Sequence, residues 1–306
     1  MTTAQLDTLF SSVPELRWLD LTGGEVTARR DIEAIGAVIR ARLPKLAMLH
    51  FPTGGWSTNA TVAAADALRW PAGPRLIVTV SIDGPPQVHN EIRGVSGAWE
   101  HAIATLRALR QAGHEVYPGM TLQPGNTDLV DATVVALRGE FTGFSHAQLH
   151  VNVAHSSPHY FHNTDCQRAP QDEVRAAIAG FRAQKGVPAD PVQAIEASYL
   201  ALLDRHFETG RSPIPCRSGE LSAYIAPDGR VHACTIDPRS IGHLKDHAWD
   251  LGALWDSQPR RALADEIAAD RCVGCWTPCE AYQTLLASPA ATAIALLKRR
   301  RPAARG

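Results

Sequence analysis

Along the first half of the chain, short apolar runs alternate with longer stretches in which apolar residues return every three or four positions. The runs are Arg17–Thr22, Leu46–Phe51, Leu76–Ile82, Glu115–Leu122 and Gln148–Val153. Most carry Val, Ile or Leu on consecutive positions, which reads as parallel strands buried on both faces. Between them, Asp31–Arg42 places Ile32, Ile35, Val38 and Ile39 on one helical face, with Asp31 as its start signal. Thr58–Leu68, Gly97–Ala112 and Asp128–Leu137 follow the same logic. The strands recur at roughly 30 to 40 residues, the size of a βα unit. Five such units predict a parallel barrel or an open doubly wound sheet.

After Val153 the pattern changes. Residues 155–170 are polar and hold His155, His159, His162 and Cys166. Two helices are predicted at Gln171–Gln184 and Pro191–Thr209. A short hairpin follows, Ser222–Ala226 and Val231–Cys234. It turns at Pro227-Asp228-Gly229, where Pro presets φ and Gly tolerates positive φ. The expected organisation is a barrel with connecting helices over 1–209 and a cysteine-rich domain over 210–306.

Composition narrows the function classes. With 306 residues, 45% of them hydrophobic, the chain can bury a large core. A net charge of −1 implies no general field for nucleic acid. The basic tail, Lys298–Arg301 with Arg305, reads as a solvated helix end. No apolar run is long enough for a membrane span, and Met1–Phe10 lacks the layout of a secretory signal. The expected location is cytoplasmic, where thiols stay reduced. Of six cysteines, none precedes Cys166 and five fall between 216 and 279. In a reducing compartment that clustering points to metal rather than disulfides.

Those five are Cys216, Cys234, Cys272, Cys275 and Cys279, ending in a Cys-x2-Cys-x3-Cys set. Close-spaced thiolates on a tight loop converge on one soft metal centre, and a hairpin bearing Cys234 can bring in a distant one. Zinc and an iron–sulfur cluster both fit. Cys166 with His155, His159 and His162 is a weaker set. Those histidines would share a helix face, but Pro158 and the flanking Ser and Asn residues read as loop. At the strand ends, Gly23-Gly24-Glu25 would let a ligand approach the backbone beside a carboxylate suited to an ammonium group. Ser81 and Asp83 close the third strand, and Arg93 could clamp a carboxylate with its planar fork. Asn59 and Asn126 follow the second and fourth strands. Singly, turn, cap or surface roles explain each of these.

Together, Gly23-Gly24-Glu25, Thr58-Asn59, Ser81-Ile82-Asp83-Gly84, the 89–94 stretch His-Asn-Glu-Ile-Arg-Gly and an Asn126 loop resemble, in that order, the radical S-adenosylmethionine (SAM) superfamily. Cys216-x12-Gly229-x4-Cys234 followed by Cys272, Cys275 and Cys279 resembles the family's C-terminal SPASM or twitch extension, as do Ile241–Leu244 and Trp255. The resemblance implies an α/β fold: a partial (βα) barrel with a small cysteine-rich α+β extension. It implies SAM near Gly23, Gly24, Glu25, Asn59, Ser81, Asp83, Arg93 and Asn126, and one auxiliary [4Fe–4S] cluster on the C-terminal cysteines. It implies reductive cleavage of SAM and hydrogen abstraction from a peptide, protein or small metabolite, with a flavodoxin or ferredoxin as reductant.

The family holds its catalytic cluster on Cys-x3-Cys-x2-Cys ahead of the Gly-Gly-Glu stretch. Here no cysteine stands there. The expectation is that the family's first strand and cluster loop are missing, that Leu19–Thr22 corresponds to its second strand, and that this chain alone is inactive. A start codon assigned too far downstream is the simplest explanation, and a cluster-free descendant is the alternative. A non-catalytic barrel with a structural metal module is the competing reading.

Overall fold

A computed structural model describes residues 1–299. The side chains of the basic tail at Lys298–Arg301 and Arg305 lie outside the described residues. The chain forms two compact units. The first comprises Met1–Asn152, Pro227–Gly229 and Leu244–Ala253, and the second takes the rest.

In the first unit, helix α1 (Thr3–Ser11) precedes β1 (Trp18–Asp20), α2 (Ile32–Arg42), β2 (Met48–Thr53), α3 (Thr58–Leu68) and β3 (Arg75–Ser81). Then come α4 (Pro86–Arg93), α5 (Ala98–Gln111), β4 (Glu115–Leu122), α6 (Val130–Glu140) and β5 (His150–Val153). The five strands lie side by side in chain order. β1 to β4 pair in parallel, with Thr53 opposite Val80 and Ser81 opposite Gly119. A doubly wound sheet would reverse its strand order at a switch point. This order never reverses, so the sheet is the wall of a partial barrel.

The strands are not buried on both faces as their apolar runs suggest. Leu49, Phe51 and Thr53 of β2 are buried, while Met48, His50 and Pro52 between them are half-buried. β3 follows this over its second half, with Leu76, Ile77, Val78 and Val80 buried and Thr79 and Ser81 half-buried. One face packs apolar side chains, and the other carries the polar ones, His50, Thr79 and Ser81, beside Met48, Pro52 and Ile77. Across that second face, the two ring nitrogens of His50 lie 2.8 Å from Asp20 Oδ1 and 2.9 Å from Thr79 Oγ1. A lumen open to ligand has no reason to be apolar, which is why alternation replaces a fully buried strand.

The second unit contains α7 (Gln171–Lys185), α8 (Pro191–Thr209) and an antiparallel sheet of β6 (Tyr224–Ile225), β7 (Arg230–His232) and β8 (Ser240–His243). Helices α9 (Leu251–Trp255), α10 (Gln258–Ala268), α11 (Pro278–Ala287) and α12 (Pro289–Arg299) complete the chain, α9 beginning in the first unit. The compact division falls at Val153, whereas the sequence suggests a boundary near 210. Helices α7 and α8 account for the difference. Tyr199, Leu200 and Leu203 on α8 are buried. Trp276, just ahead of α11, donates its Nε1–H to the Tyr199 carbonyl at 2.9 Å. The stretch 155–170 is turn and loop, so His155, His159 and His162 do not share a helix face.

Candidate SAM rim and iron–sulfur centre

Parallel strands deliver their C-terminal ends to one edge, where loops are free to meet a ligand. Gly23 sits there at φ 135°, and a Cβ built on it or on Gly24 would meet no atom within 4 Å. The rim is open at these two positions. Glu25 follows and caps a 3-10 turn over Val26–Ala28. Its Oε1 accepts from the Thr27 backbone and hydroxyl at 3.3 and 3.0 Å. Its Oε2 accepts from Thr53 Oγ1 and Gly54 N, each at 3.0 Å. The carboxylate thus joins the ends of β1 and β2.

One strand further along, Asp83 is buried and Ser81 half-buried. Asp83 Oδ1 accepts from the Thr121 backbone at 3.0 Å, and Arg93 Nη2 lies 2.6 Å from Oδ2. The Nε of Arg93 is buried with no hydrogen-bond partner. The Asp83 backbone N–H donates to His89 Nδ1 at 3.0 Å. Asn126 is fully buried. It accepts from Gln123 N at 2.8 Å and donates to the carbonyls of Asp83 and Thr121 at 2.9 Å. Its amide therefore staples the β4 loop to the end of β3. Asn59 is exposed on the first turn of α3. The rim thus presents the open Gly23–Gly24 backbone, the Glu25 carboxylate, Ser81 and an under-bonded guanidinium. That donor set fits an amino acid's ammonium and carboxylate ends.

In the second unit, four cysteines share one neighbourhood. Cys234 follows β7, is buried, and its Sγ accepts from Ile236 N and Asp237 N at 3.4 and 3.1 Å. Cys272 accepts a backbone N–H from Gly274, which turns at φ 70°. Cys216 donates its S–H to Ser218 Oγ at 3.2 Å. Such N–H···S turns present sulfur in a form that suits a thiolate ligand. Burial pushes the Cys275 thiol well up, and Cys234, Glu280, Cys216 and Cys272 push it further. Burial also raises Cys216, Cys234 and Cys272. Cys234 is buried and Cys216, Cys272 and Cys275 are half-buried; desolvated thiols that act on one another ionise more readily when a positive centre joins them, so the donor set fits a metal cluster. Among the described residues, no three His, Cys, Asp or Glu side chains are close enough to chelate a single ion.

Cys279 is exposed at the start of α11, where its electrostatic neighbours include the buried Tyr199 and the half-buried Tyr282. Cys166 is exposed in its loop. His155 and His159 have local work instead. The ring Nδ1 of His155 lies 2.7 Å from the Val153 carbonyl, and His159 Nε2 lies 3.0 Å from the Cys234 carbonyl. His162 is exposed.

Sequence reasoning missed the clamp that joins two cysteine loops. Arg239 holds Asp237 with Nε at 2.9 Å and Nη2 at 2.7 Å, and Nη2 also donates to the Arg271 carbonyl at 2.9 Å. Its Nη1 engages Glu266. This ties the turn after Cys234 to the residue before Cys272. The Asp237-x-Arg239 spacing was the available signal.

A family model described as an iron–sulfur cluster-binding domain, SPASM, matches residues 216–276. The match takes in Cys216, Cys234, Cys272 and Cys275 and stops short of Cys279. The sporulation killing factor maturation protein SkfB of Bacillus subtilis (strain 168) is 27% identical over 199 residues, which is 64% of this chain and 43% of SkfB. The chain thus spans less than half the length of that relative. Among solved structures, native anSMEcpe with bound AdoMet matches with a TM-score of 0.60 at 11% identity, covering 96% of this chain and 90% of that one. Native anSMEcpe with bound AdoMet and Kp18Cys peptide matches at 0.55 and 12% identity, covering 96% and 91%. At such identities the likeness speaks for the fold. Strand order, cysteine spacing and these matches agree in making the chain similar to radical SAM proteins that carry a SPASM domain, with the SPASM model itself matching residues 216–276.

Proposed function

We propose that this chain is the SAM-binding barrel and auxiliary-cluster part of a radical SAM enzyme that modifies a peptide. The observation that carries the reading is the mutual influence of Cys216, Cys234, Cys272 and Cys275: desolvation raises each thiol, and Cys275 feels the other three. These four residues would hold one [4Fe–4S] cluster, with Cys279 outside the set. The barrel and the cysteine module would act as separate domains of one enzyme.

At the rim, the Gly23–Gly24 backbone and Glu25 would receive the ammonium end of SAM, which displaces the Thr53 hydroxyl from Oε2. Ser81 and the guanidinium of Arg93 would face its carboxylate and ribose, while Asp83 holds Arg93 in place. Asn126 acts on this site by fixing the β4 loop, and Asn59 lies at its edge. In this superfamily, SAM beside a reduced cluster supplies a carbon radical that takes a hydrogen atom from the substrate. The six cysteines of this chain include none ahead of Cys166, so these residues do not themselves present the three thiolates that anchor the family's catalytic cluster. A flavodoxin or ferredoxin in the cytoplasm would supply electrons.

The peptide reading draws on two names: a maturation protein for a killing factor, and an enzyme solved with a peptide. Among the described residues no helix is long and apolar enough to cross a membrane.

A structural zinc module is the second reading. Zinc–sulfur bonds of about 2.3 Å would place the sulfurs within about 4 Å of one another. The two readings differ in whether inorganic sulfide accompanies the metal. Metal and sulfide analysis of the full chain purified without oxygen tests the proposal. Iron with matching acid-labile sulfide is the expected result. Zinc without sulfide would establish the second reading in its place.

A further inference from the structure

Glu280 stands where the cysteine-bearing segments meet. Ser218, two residues after Cys216, donates its hydroxyl to Glu280 Oε2 at 2.6 Å. Thr235, next to Cys234, donates both its backbone N–H and its hydroxyl to Oε1, at 3.0 and 3.3 Å. Gln283 Nε2 reaches Oε2 at 3.0 Å from the next turn of α11, and Ser222 Oγ lies 3.5 Å from the same oxygen. Glu280 itself follows the Cys272–Cys279 stretch on α11. One side chain therefore links the loop after Cys216, the loop after Cys234 and the helix that follows Cys275.

The side chain is 6% exposed. Each carboxyl oxygen meets one N–H donor, the Thr235 backbone on Oε1 and the Gln283 amide on Oε2, and the Ser218 and Thr235 hydroxyls complete a shell that suits a carboxylate. None of its partners among the described residues is a Lys or Arg. A buried charge held by neutral donors alone is an expensive way to pack a helix against a sheet, since an apolar or amide side chain would fill the space at lower cost. Burial is the largest influence and pushes the Glu280 carboxyl above the ordinary carboxylate range, while the hydrogen bonds from Ser218, Thr235 and Gln283 pull the other way and favour the charge. The same charge acts on the thiols of Cys216, Cys234 and Cys275. Cluster potentials respond to nearby charge and to hydrogen bonds around the sulfurs, and a fixed negative charge makes the addition of an electron harder.

We propose that Glu280 is a positioning residue that keeps the three cysteine segments in register and a fixed negative charge that holds the cluster's reduction potential down. The inference rests on the iron–sulfur reading of this centre and adds a residue outside the ligand set.

The test is a dye-mediated redox titration, followed by electron paramagnetic resonance, of the full chain with its cluster reconstituted. Wild type is compared with Glu280→Gln and Glu280→Asp, with iron, sulfide and far-UV circular dichroism measured on each. Glu280→Gln is expected to shift the potential to more positive values, or to lose iron with its fold intact. Glu280→Asp is expected to retain iron and stay near the wild-type potential. Wild-type iron content with an unchanged potential in Glu280→Gln would overturn the proposal. Loss of the folded spectrum in both variants would also overturn it, by making Glu280 a core residue only. Failure of the wild-type arm to hold iron and sulfide would instead bring down the cluster reading itself.

Discussion

Arg93 and Asp83 form an ion pair at the barrel rim: Nη2 of the guanidinium lies 2.6 Å from Oδ2 of a carboxylate that is 4% exposed. The pair ties the end of α4 to the loop after β3. Removing Arg93 leaves that carboxylate uncompensated away from water. Arg93→Met is expected to lower stability by about 2–3 kcal/mol, below the full cost of breaking a buried pair because Arg93 is partly exposed. In the double variant Asp83→Asn/Arg93→Met the stranded charge is gone and part of the loss returns. Chemical denaturation of the four members of this cycle gives the coupling directly.

Acid should loosen the fold through two histidines. Burial holds His89 and His155 neutral, with folded pKa values of about 4 against an ordinary 6.5. Between those values the unfolded chain binds protons that the folded chain refuses. Stability therefore falls as pH drops from about 6.5 to about 4. His89→Gln removes one of the two titrations. Its stability, measured by urea unfolding across this range, is expected to vary less steeply with pH than that of the wild type.

The Cys272–Cys275 turn has no room for a side chain at Gly274. A Cβ there would lie 2.3 Å from the Gly210 carbonyl oxygen, and the backbone has φ 70°. Gly274→Ala must open the turn or move the end of α8. The expected result is a loss of at least about 1 kcal/mol from backbone strain alone, with lower iron content after reconstitution. Gly210→Ala does not insert an atom into that gap and serves as the control for effects on the helix end.

The barrel was legible because its signals are local. Apolar runs such as Leu76–Ile82 and amphipathic stretches such as Asp31–Arg42 announce strands and helices without reference to anything distant. The polar character of the sheet's other face was partly hidden, since His50 and Thr79 interrupt their strands with only single polar residues. The site was legible as residue types and not as contacts. The fork of Arg93 reads as a ligand clamp in the sequence, but Asp83 already occupies one side of it. Asn126 reads as a rim polar, yet its amide is spent on the backbone of Gln123, Asp83 and Thr121. Pairings of this kind depend on which loops the fold brings together, and spacing along the chain carries no record of them. The same holds for Arg239 and Glu280, which cross between segments far apart in sequence. Cys279 shows the limit most plainly: its spacing matches the other cysteines, yet it is exposed at the start of α11 whereas Cys234 is buried.

The central claim is that four specific sulfurs hold one cluster, and replacement of each cysteine in turn tests it most directly. Iron and acid-labile sulfide per chain would be measured after anaerobic reconstitution of Cys216→Ala, Cys234→Ala, Cys272→Ala, Cys275→Ala and Cys279→Ala. The account expects each of the first four to lose most of its iron and sulfide while Cys279→Ala keeps the wild-type content. Full cluster content in any of the first four, or loss in Cys279→Ala equal to theirs, would contradict it.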